Sequence, residues 1–176
     1  MDRRMMLCPA CWGRQLVCEY CEGLGAVEDV QLSPHFRLSE LLRSDTAQTQ
    51  GLYQVPTPAV VERLRELCVE LLEPIRDALG PLRITSGYRR SRVNVAVGGS
   101  STSAHLSGWA ADVAPVRAAP EQIMIMLHDA GASLAWDQAI LYSSHVHLGL
   151  RRPATGEQRR QLLRAEGGAW TPRRVE

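Results

Sequence analysis

Two pairs of cysteines near the N-terminus constrain the fold of this chain more than any other feature. Four of the five cysteines form two CxxC motifs, Cys8 with Cys11 and Cys18 with Cys21. Each motif can form a turn whose two thiolates face one ion, and two such turns are typical of a structural, tetrahedral zinc site. Disulfides are the main alternative if the protein works outside the cell, and thiol redox chemistry is a third. The pattern predicts a small zinc module over residues 1–30, followed by a main domain over 31–176.

The length and composition fit one globular domain with a modest appendage. The chain has 176 residues, of which 45% are hydrophobic and 22% charged, and its formal net charge is +1. This usage is ordinary for a folded protein, and there is no overall basic field that would concentrate nucleic acid. No segment approaches the roughly 20 apolar residues of a membrane span, and no signal-peptide pattern opens the chain. We therefore expect a cytoplasmic protein without a nucleic-acid partner, which would need another route of release to act outside the membrane.

Periodicity and capping signals in the main domain predict an α+β fold. Thr57 and Pro58 mark the start of a long amphipathic helix that ends before Gly80, and Ser39 is expected to cap a shorter helix before it. Further helices are expected in APEQIMIMLHDAG and TGEQRRQLLRAEG, and strands in LRITSGY, WAADVAPV and LAWDQAILYSSHVHLGL, the last as a hairpin or two adjacent strands. Strands and helices do not alternate regularly along the chain, as they would in a doubly wound parallel sheet. A small, mainly antiparallel sheet flanked by helices is therefore favoured.

Histidines and one aspartate in the main domain could hold a metal ion. His105 and Asp112 lie seven positions apart, and catalytic zinc typically takes three protein ligands and leaves one position for water. The only two histidines that lie close together in the sequence are His145 and His147. Alternate residues of a strand point to the same face, so one of these two could bind metal while the other handles protons. From the residues alone, it stays open that all four are ordinary loop and strand residues.

The run ITSGYRRSRVNVAVGGSSTSAHLSGWAADV carries several ordered motifs. They are SGYR at 86–89, VN at 93–94, VGG at 97–99, and Ser-x-His followed by Gly, a small residue and Asp within 103–112, with WDQ at 136–138 and His147 after them. Over about residues 36–150, these motifs resemble the zinc D-Ala-D-Ala carboxypeptidases and peptidoglycan endopeptidases of peptidase family M15, which have the hedgehog/D-Ala-D-Ala peptidase fold. The resemblance implies a catalytic zinc ion bound by His105, Asp112 and His147.

The resemblance also implies roles for residues around that zinc. Many relatives place a carboxylate base three residues before the last histidine, but this chain has Ser144 there. His145 is then expected to be the general base or to stabilise the transition state, since histidine titrates near neutral pH. Arg89 is expected to bind a carboxylate or backbone carbonyl of the substrate. Ser103 and Asp137 are expected to support the ligating histidines, although either could be an ordinary loop or turn residue.

These features favour a zinc-dependent peptidase that cuts peptidoglycan stem peptides, with a D-Ala-containing bond as the expected site. A small enzyme of this kind suits a phage lysis enzyme or a virion-associated wall hydrolase. The alternative is a non-catalytic cell-wall or partner-binding module that keeps the zinc-containing fold but has lost its base, and Ser144 is the reason to consider it. The sequence leaves open the choice between carboxypeptidase and endopeptidase and the oligomeric state.

Overall fold

The computed structural model describes residues 4–14 and 18–171. The strands are β1 (Met5–Leu7), β2 (Ala26–Glu28), β3 (Leu82–Ser86), β4 (Ala110–Pro115), β5 (Gln138–Leu141), β6 (Val146–Gly149) and β7 (Gln161–Arg164). The helices are α1 (Leu38–Leu42), α2 (Asp45–Gln50), α3 (Pro58–Leu67), α4 (Glu73–Leu79), α5 (Ser91–Ala96) and α6 (Pro120–Ala130), with a π-helical segment at Cys68–Leu72 and a 3-10 turn at Ala104–Ser107. None of the described helices has the length and apolar character that a bilayer span requires.

A five-stranded sheet forms the centre of the main domain, in the order β3-β4-β6-β5-β7. The pairings of β3 with β4, β4 with β6 and β6 with β5 are antiparallel, whereas β5 and β7 are parallel. β5 and β6 form the predicted hairpin, and β4 is almost entirely buried. The predicted α+β class with a mainly antiparallel sheet is therefore confirmed.

The prediction of a helix in the C-terminal segment TGEQRRQLLRAEG is wrong. Residues 161–164 form β7, whose backbone pairs with Gln138–Leu141. After the strand, Gly167 and Gly168 adopt positive φ angles, which let the chain turn back so that Trp170 joins the main core. The periodicity of this segment is compatible with a helix, but the open edge of β5 offers backbone hydrogen-bond partners, and tertiary pairing overrides local propensity.

The long helix begins and ends where predicted, but it is not α-helical throughout. The Thr57 side chain caps the first turn, Pro58 is the first helical residue, and Gly80 follows the last turn. The α-helical hydrogen bonding is interrupted by the π-helical segment at Cys68–Leu72. Pro74 lies two residues after the end of this segment and has no N–H group, so a regular α-helix would be disrupted there and the wider π turn accommodates it.

The segment between the 3-10 turn and β4 is seated against α3. Gly108 has a φ of 81°, and an added side chain would press on the Val60 carbonyl and on Leu64, so this position requires glycine. The guanidinium of Arg63 lies 5.5 Å from the centre of the Trp109 ring. Helix α3 therefore fixes the short segment that joins the two predicted metal ligands.

The cysteine module lies between β1 and β2, which pair in antiparallel fashion. Its four thiols are buried in a cluster separate from the main core. Each CxxC motif is followed by two residues with positive φ angles, Trp12–Gly13 and Glu22–Gly23, so the two turns have similar backbones. The predicted domain boundary at residue 30 stays a prediction.

The sequence predicted that Ser39 caps α1, and this prediction is wrong. The helix begins at Leu38, two residues earlier than a cap at Ser39 would require, and its N-cap is Arg37, whose backbone N–H donates to the Glu40 carboxylate at 2.8 Å. Ser39 instead donates its backbone N–H and its hydroxyl to Asp29, at 2.9 and 2.8 Å. This buried carboxylate ties the segment after β2 to α1.

Candidate functional site

His105 lies in the 3-10 turn, and a backbone carbonyl determines the orientation of its ring. The ring is buried, and Nδ1 donates to the carbonyl oxygen of Gly87 at 2.6 Å. A carbonyl only accepts, so the proton is on Nδ1 and the lone pair of Nε2 is available to a ligand. Gly87 has no space for a side chain, because an added Cβ would overlap the Leu41 carbonyl. The contact with α1 therefore positions the group that holds His105.

The Nε2 atom of His105 faces two ligand groups from the sheet. Asp112 on β4 and His147 on β6 are paired in register. His105 Nε2 lies 3.1 Å from Asp112 Oδ1 and 3.1 Å from His147 Nδ1, and the latter two atoms are 2.9 Å apart.

The spacing and chemistry of these three atoms fit a metal ion. Zinc ligands at about 2.0–2.1 Å stand about 3.3 Å apart in a tetrahedron, close to the 2.9–3.1 Å separations found here. Nε2 of His105 carries no proton, so it offers a lone pair beside the carboxylate oxygen of Asp112. In the tautomer of His147 that leaves Nδ1 unprotonated, three electron-pair donors converge, and a cation between them would relieve their repulsion. The residues present therefore fit zinc.

Arg89 holds the second carboxylate oxygen of Asp112. Its Nη2 donates to Asp112 Oδ2 at 2.6 Å, and its Nε donates to Ser86 Oγ at 2.9 Å. Burial alone would raise the pKa of Asp112, but the neighbouring His105 and His147 lower it well below its usual range. Asp112 is therefore an anion at neutral pH, with one oxygen held by Arg89 and the other directed at the histidines.

The residues that carry the three candidate ligand atoms line a cavity of about 980 Å³. Its lining includes the loop at 98–103, the 3-10 turn, Arg89, Asp112, and residues from the β5–β6 hairpin and from the segment at 152–159. This volume is near the upper end of the range for ligand pockets, about 300–1,000 Å³. There is space beside the ligand cluster for a peptide of more than one residue.

His145 precedes β6 and lines the same cavity as His147. Its ring stacks on Tyr142, with centroids 4.4 Å apart and planes 8° from parallel, and its Nδ1 lies 3.2 Å from Ser144 Oγ. Burial lowers the pKa of His145 below its usual value. The ring is therefore neutral at neutral pH and can accept a proton.

Comparison with known families agrees with this arrangement. The family model described as Peptidase M15 matches residues 34–149, which include all three candidate ligand residues and more than half of the 176-residue chain. The chain belongs to the peptidase M15 family. No curated protein matches the chain. Membership of the M15 family indicates a metallopeptidase, and the matched range leaves the cysteine module outside.

The sequence predicted that Asp137 supports a ligating histidine. In this M15 family member, its carboxylate pairs with Arg159 instead. Its two carboxylate oxygens accept from Arg159 Nε at 2.8 Å and Nη2 at 2.5 Å, and Oδ1 also accepts from the Arg159 backbone N–H at 2.8 Å. This ion pair fixes the segment after β6 against the hairpin. Ser103 precedes the 3-10 turn and lines the cavity, and its supporting role stays a prediction.

Sequence reasoning missed the groups that position the M15 site. The Gly87 carbonyl belongs to the SGYR motif, but nothing in the sequence marks a backbone oxygen as a histidine partner. Arg89 lines the cavity, yet its bond to Asp112 was not foreseen. Tyr142 was also missed, although its place three residues before His145, in the turn of the predicted hairpin, is a signal that could have found it.

The cysteine module contains a second candidate metal site. The sulfurs of Cys8 and Cys18 are 3.9 Å apart, those of Cys11 and Cys21 are 3.8 Å apart, and all four cysteines are buried and form no disulfide. Zinc–sulfur bonds of about 2.3 Å place sulfurs about 3.8 Å apart in a tetrahedron. Burial raises the pKa of the Cys8 thiol to about 12, so a thiolate there requires a nearby cation. These residues fit a structural zinc ion.

Proposed function

We propose that this chain is a zinc-dependent peptidase that hydrolyses peptidoglycan stem peptides at a bond involving D-Ala. The observation that carries the proposal is the convergence of His105 Nε2, Asp112 Oδ1 and His147 Nδ1 at the wall of a large cavity. The motifs around these residues, in a member of the M15 family, supply the peptidoglycan part of the proposal.

The metal site is proposed to be preorganised by its neighbours. When bound, zinc supplies Lewis acidity, which polarises a peptide carbonyl and makes water more acidic. Asp112 contributes the negative charge that favours a cation, and Arg89 prevents its carboxylate from rotating. The Gly87 carbonyl keeps His105 in the tautomer that ligation requires. Such outer partners orient metal ligands and raise their basicity.

His145 is the proposed general base. Its ring lines the cavity, is neutral at neutral pH, and is oriented by Tyr142 on one face and Ser144 at Nδ1. Nε2 is then the atom that accepts a proton from the attacking water and later delivers it to the leaving amine. Ser144 occupies the position of the family carboxylate, and we infer that it acts through His145 rather than on the substrate.

Arginines on the cavity wall are proposed to bind the carboxylate groups of the stem peptide. Arg89, Arg152 and Arg159 all line the cavity. Arg89 and Arg159 are each paired with a buried aspartate, whereas Arg152 has a looser, exposed partner in Glu157 at 3.7 Å. A guanidinium pairs with a carboxylate through parallel hydrogen bonds. Arg152 is therefore the arginine most available to a substrate carboxylate.

The replacement of the family carboxylate by Ser144 favours one alternative, a non-catalytic zinc-containing module that binds the cell wall or a partner. The test incubates zinc-loaded protein with a defined pentapeptide and with cross-linked muropeptides, beside a His147→Ala variant, and identifies products by mass spectrometry. Loss of one terminal alanine by the wild type alone would identify a carboxypeptidase, and an internal cut an endopeptidase. Retention of zinc without any cleavage would refute the peptidase proposal and support the binding module.

A further inference from the structure

A buried glutamine, Gln54, contacts the loop that carries Arg89 from both sides. Its side chain is fully buried, Nε2 donates to the Tyr88 carbonyl at 2.6 Å, and Oε1 accepts from the Arg90 backbone N–H at 3.0 Å. The amide therefore holds the two residues that flank Arg89. A buried polar group with both of its functions satisfied fixes its partners, because breaking either bond leaves an unpaired polar atom.

The backbone around Gln54 is held by the first cysteine turn. The Gln54 N–H donates to the carbonyl of Pro9, which lies between Cys8 and Cys11, at 2.8 Å. Two residues earlier, the Leu52 carbonyl accepts from the indole N–H of Trp12 at 2.8 Å. The segment from 52 to 54 thus takes its position from the turn that presents two of the four thiols.

The loop at 87–90 is bonded to two of the three proposed ligands in the main domain. The Gly87 carbonyl holds Nδ1 of His105, and the Arg89 N–H donates to the His105 carbonyl at 3.1 Å. The Arg89 guanidinium holds Asp112. A displacement of this loop would therefore change the orientation of both ligands at once.

We propose that Gln54 is a positioning residue through which the cysteine cluster, when it holds a metal ion, fixes the loop at 87–90 and with it the orientation of two proposed ligands, His105 and Asp112. The cysteine module then stabilises the geometry of the metal site formed by His105, Asp112 and His147. The inference depends on the metal sites of the proposed function but does not require peptide cleavage. Loss of an outer partner of a metal ligand typically costs about 10- to 100-fold in metal affinity or activity.

The experiment compares Gln54→Met, which keeps the length of the side chain and removes both hydrogen bonds, with Gln48→Met. Gln48 is exposed on α2, so the second variant controls for the substitution itself. Both proteins are loaded with cobalt(II), whose visible absorption reports coordination geometry, and thiolate charge-transfer bands distinguish the cysteine cluster from the histidine site. Affinity of each site is measured by competition with a chelator.

We expect Gln54→Met to lower the cobalt affinity of the histidine site about 10- to 100-fold and to alter its absorption, while the thiolate bands stay unchanged. Gln48→Met should change neither site. Cys11→Ser should weaken the histidine site as Gln54→Met does, although Cys11 contributes no ligand to it. A folded Gln54→Met protein with the affinity and spectrum of the wild type would overturn the proposal.

If Gln54→Met does not fold, hydrogen exchange in the wild-type protein decides. The N–H groups of Arg89 and Arg90 donate to His105 and Gln54 respectively. They should exchange faster when metal is removed from the cysteine cluster while the histidine site stays loaded, and unchanged exchange would contradict the coupling. The cobalt and exchange measurements are independent of hydrolysis, so an inactive wild type would count against the peptidase proposal alone.

Discussion

Asp112 and His147 lie directly opposite each other on neighbouring antiparallel strands, with Oδ1 and Nδ1 2.9 Å apart. Backbone pairing sets this separation, so two of the three proposed ligands are in place before any metal binds. The third, His105, is held by the carbonyl of Gly87. A site arranged in this way loses little conformational freedom on binding, which favours high affinity.

Replacement of the anionic ligand should empty this site. Asp112→Asn keeps the shape of the side chain but removes the charge that pairs with the cation and with Arg89. We expect the loss of metal affinity to exceed the 10- to 100-fold typical of outer partners. Elemental analysis should find that the variant keeps only the metal ion of the cysteine cluster. Asp129→Asn, at an exposed position, is the control, and full metal content in Asp112→Asn would exclude Asp112 as an essential ligand.

A lysine should not replace the function of Arg89, because its single ammonium group cannot reproduce the two hydrogen bonds of the guanidinium group. In Arg89→Lys, a compact charge cannot bond both the Asp112 carboxylate and the Ser86 hydroxyl. We expect kcat/KM for a peptide substrate to fall about 10- to 100-fold, with a parallel loss of zinc affinity. Arg92→Lys, at an exposed position of α5, should be unchanged. If Arg89→Lys lost activity but kept its zinc affinity, Arg89 would act on the substrate rather than on Asp112.

His145 and Ser144 should differ in their effect on catalysis. His145→Gln removes the proposed proton acceptor without touching a proposed ligand, so kcat should fall about 10²- to 10⁴-fold while zinc content stays at the wild-type level. Ser144→Ala removes only a partner of Nδ1, and its effect should be within a few-fold. Steady-state kinetics with metal analysis measures both. Equal kcat values for His145→Gln and the wild type would exclude the base role.

The features that the sequence predicted correctly depend on local signals. Thr57 and Pro58 mark a helix start because capping and a fixed φ act within one turn. The hairpin that carries His147 follows from β-rich runs around a short turn. His105 and Asp112 come together because the 3-10 turn and β4 are consecutive in the chain, so short spacing already limits their separation.

The features that were missed depend on partners far away in the sequence. The strand β7 is decided by the free edge of β5 rather than by the helical periodicity of its own residues. Asp137 pairs with Arg159, which lies 22 positions away in a segment expected to be helical. Arg89 reaches Asp112 because β3 and β4 are neighbours, and strand order is a property of the whole sheet. Pro74, like Tyr142, carried a local signal that was not used, since a proline inside a helical pattern indicates a disturbed turn.

The cysteine cluster makes a prediction about thiol reactivity. In metal-loaded protein, all five cysteines should resist alkylation, because each is buried. Addition of a strong chelator should expose the four cluster thiols, whereas Cys68 stays buried in the main core, where burial raises its pKa. Peptide mass spectrometry counts the adducts. If the four cysteines became reactive only after a reductant was added, the disulfide alternative would replace the zinc site.

Glu73 predicts how stability depends on pH. Its carboxylate accepts from the Ser33 hydroxyl at 2.6 Å, from the His35 backbone N–H at 2.9 Å, and contacts His35 Nδ1 at 2.8 Å. Burial alone would raise the pKa of Glu73, but these hydrogen bonds lower it below its ordinary value. Because the pKa is lower in the folded state, the ionised carboxylate stabilises the fold above the unfolded pKa of about 4.3, and this contribution is lost as the pH falls through the folded pKa.

Glu73→Gln should therefore be less stable than the wild type at neutral pH, by about 1 kcal/mol for hydrogen bonds of this kind at a partly exposed site. The difference in the free energy of unfolding should shrink below about pH 4 and disappear in stronger acid, where both side chains are neutral. Urea unfolding at several pH values measures it, and comparing two proteins with the same metal sites removes the effect of metal loss in acid. Glu62→Gln, at an exposed position of α3, should show little difference at any pH. A Glu73→Gln difference that stayed constant down to pH 3 would show that packing, not the charge of Glu73, holds the segment at 33–35 against the helix.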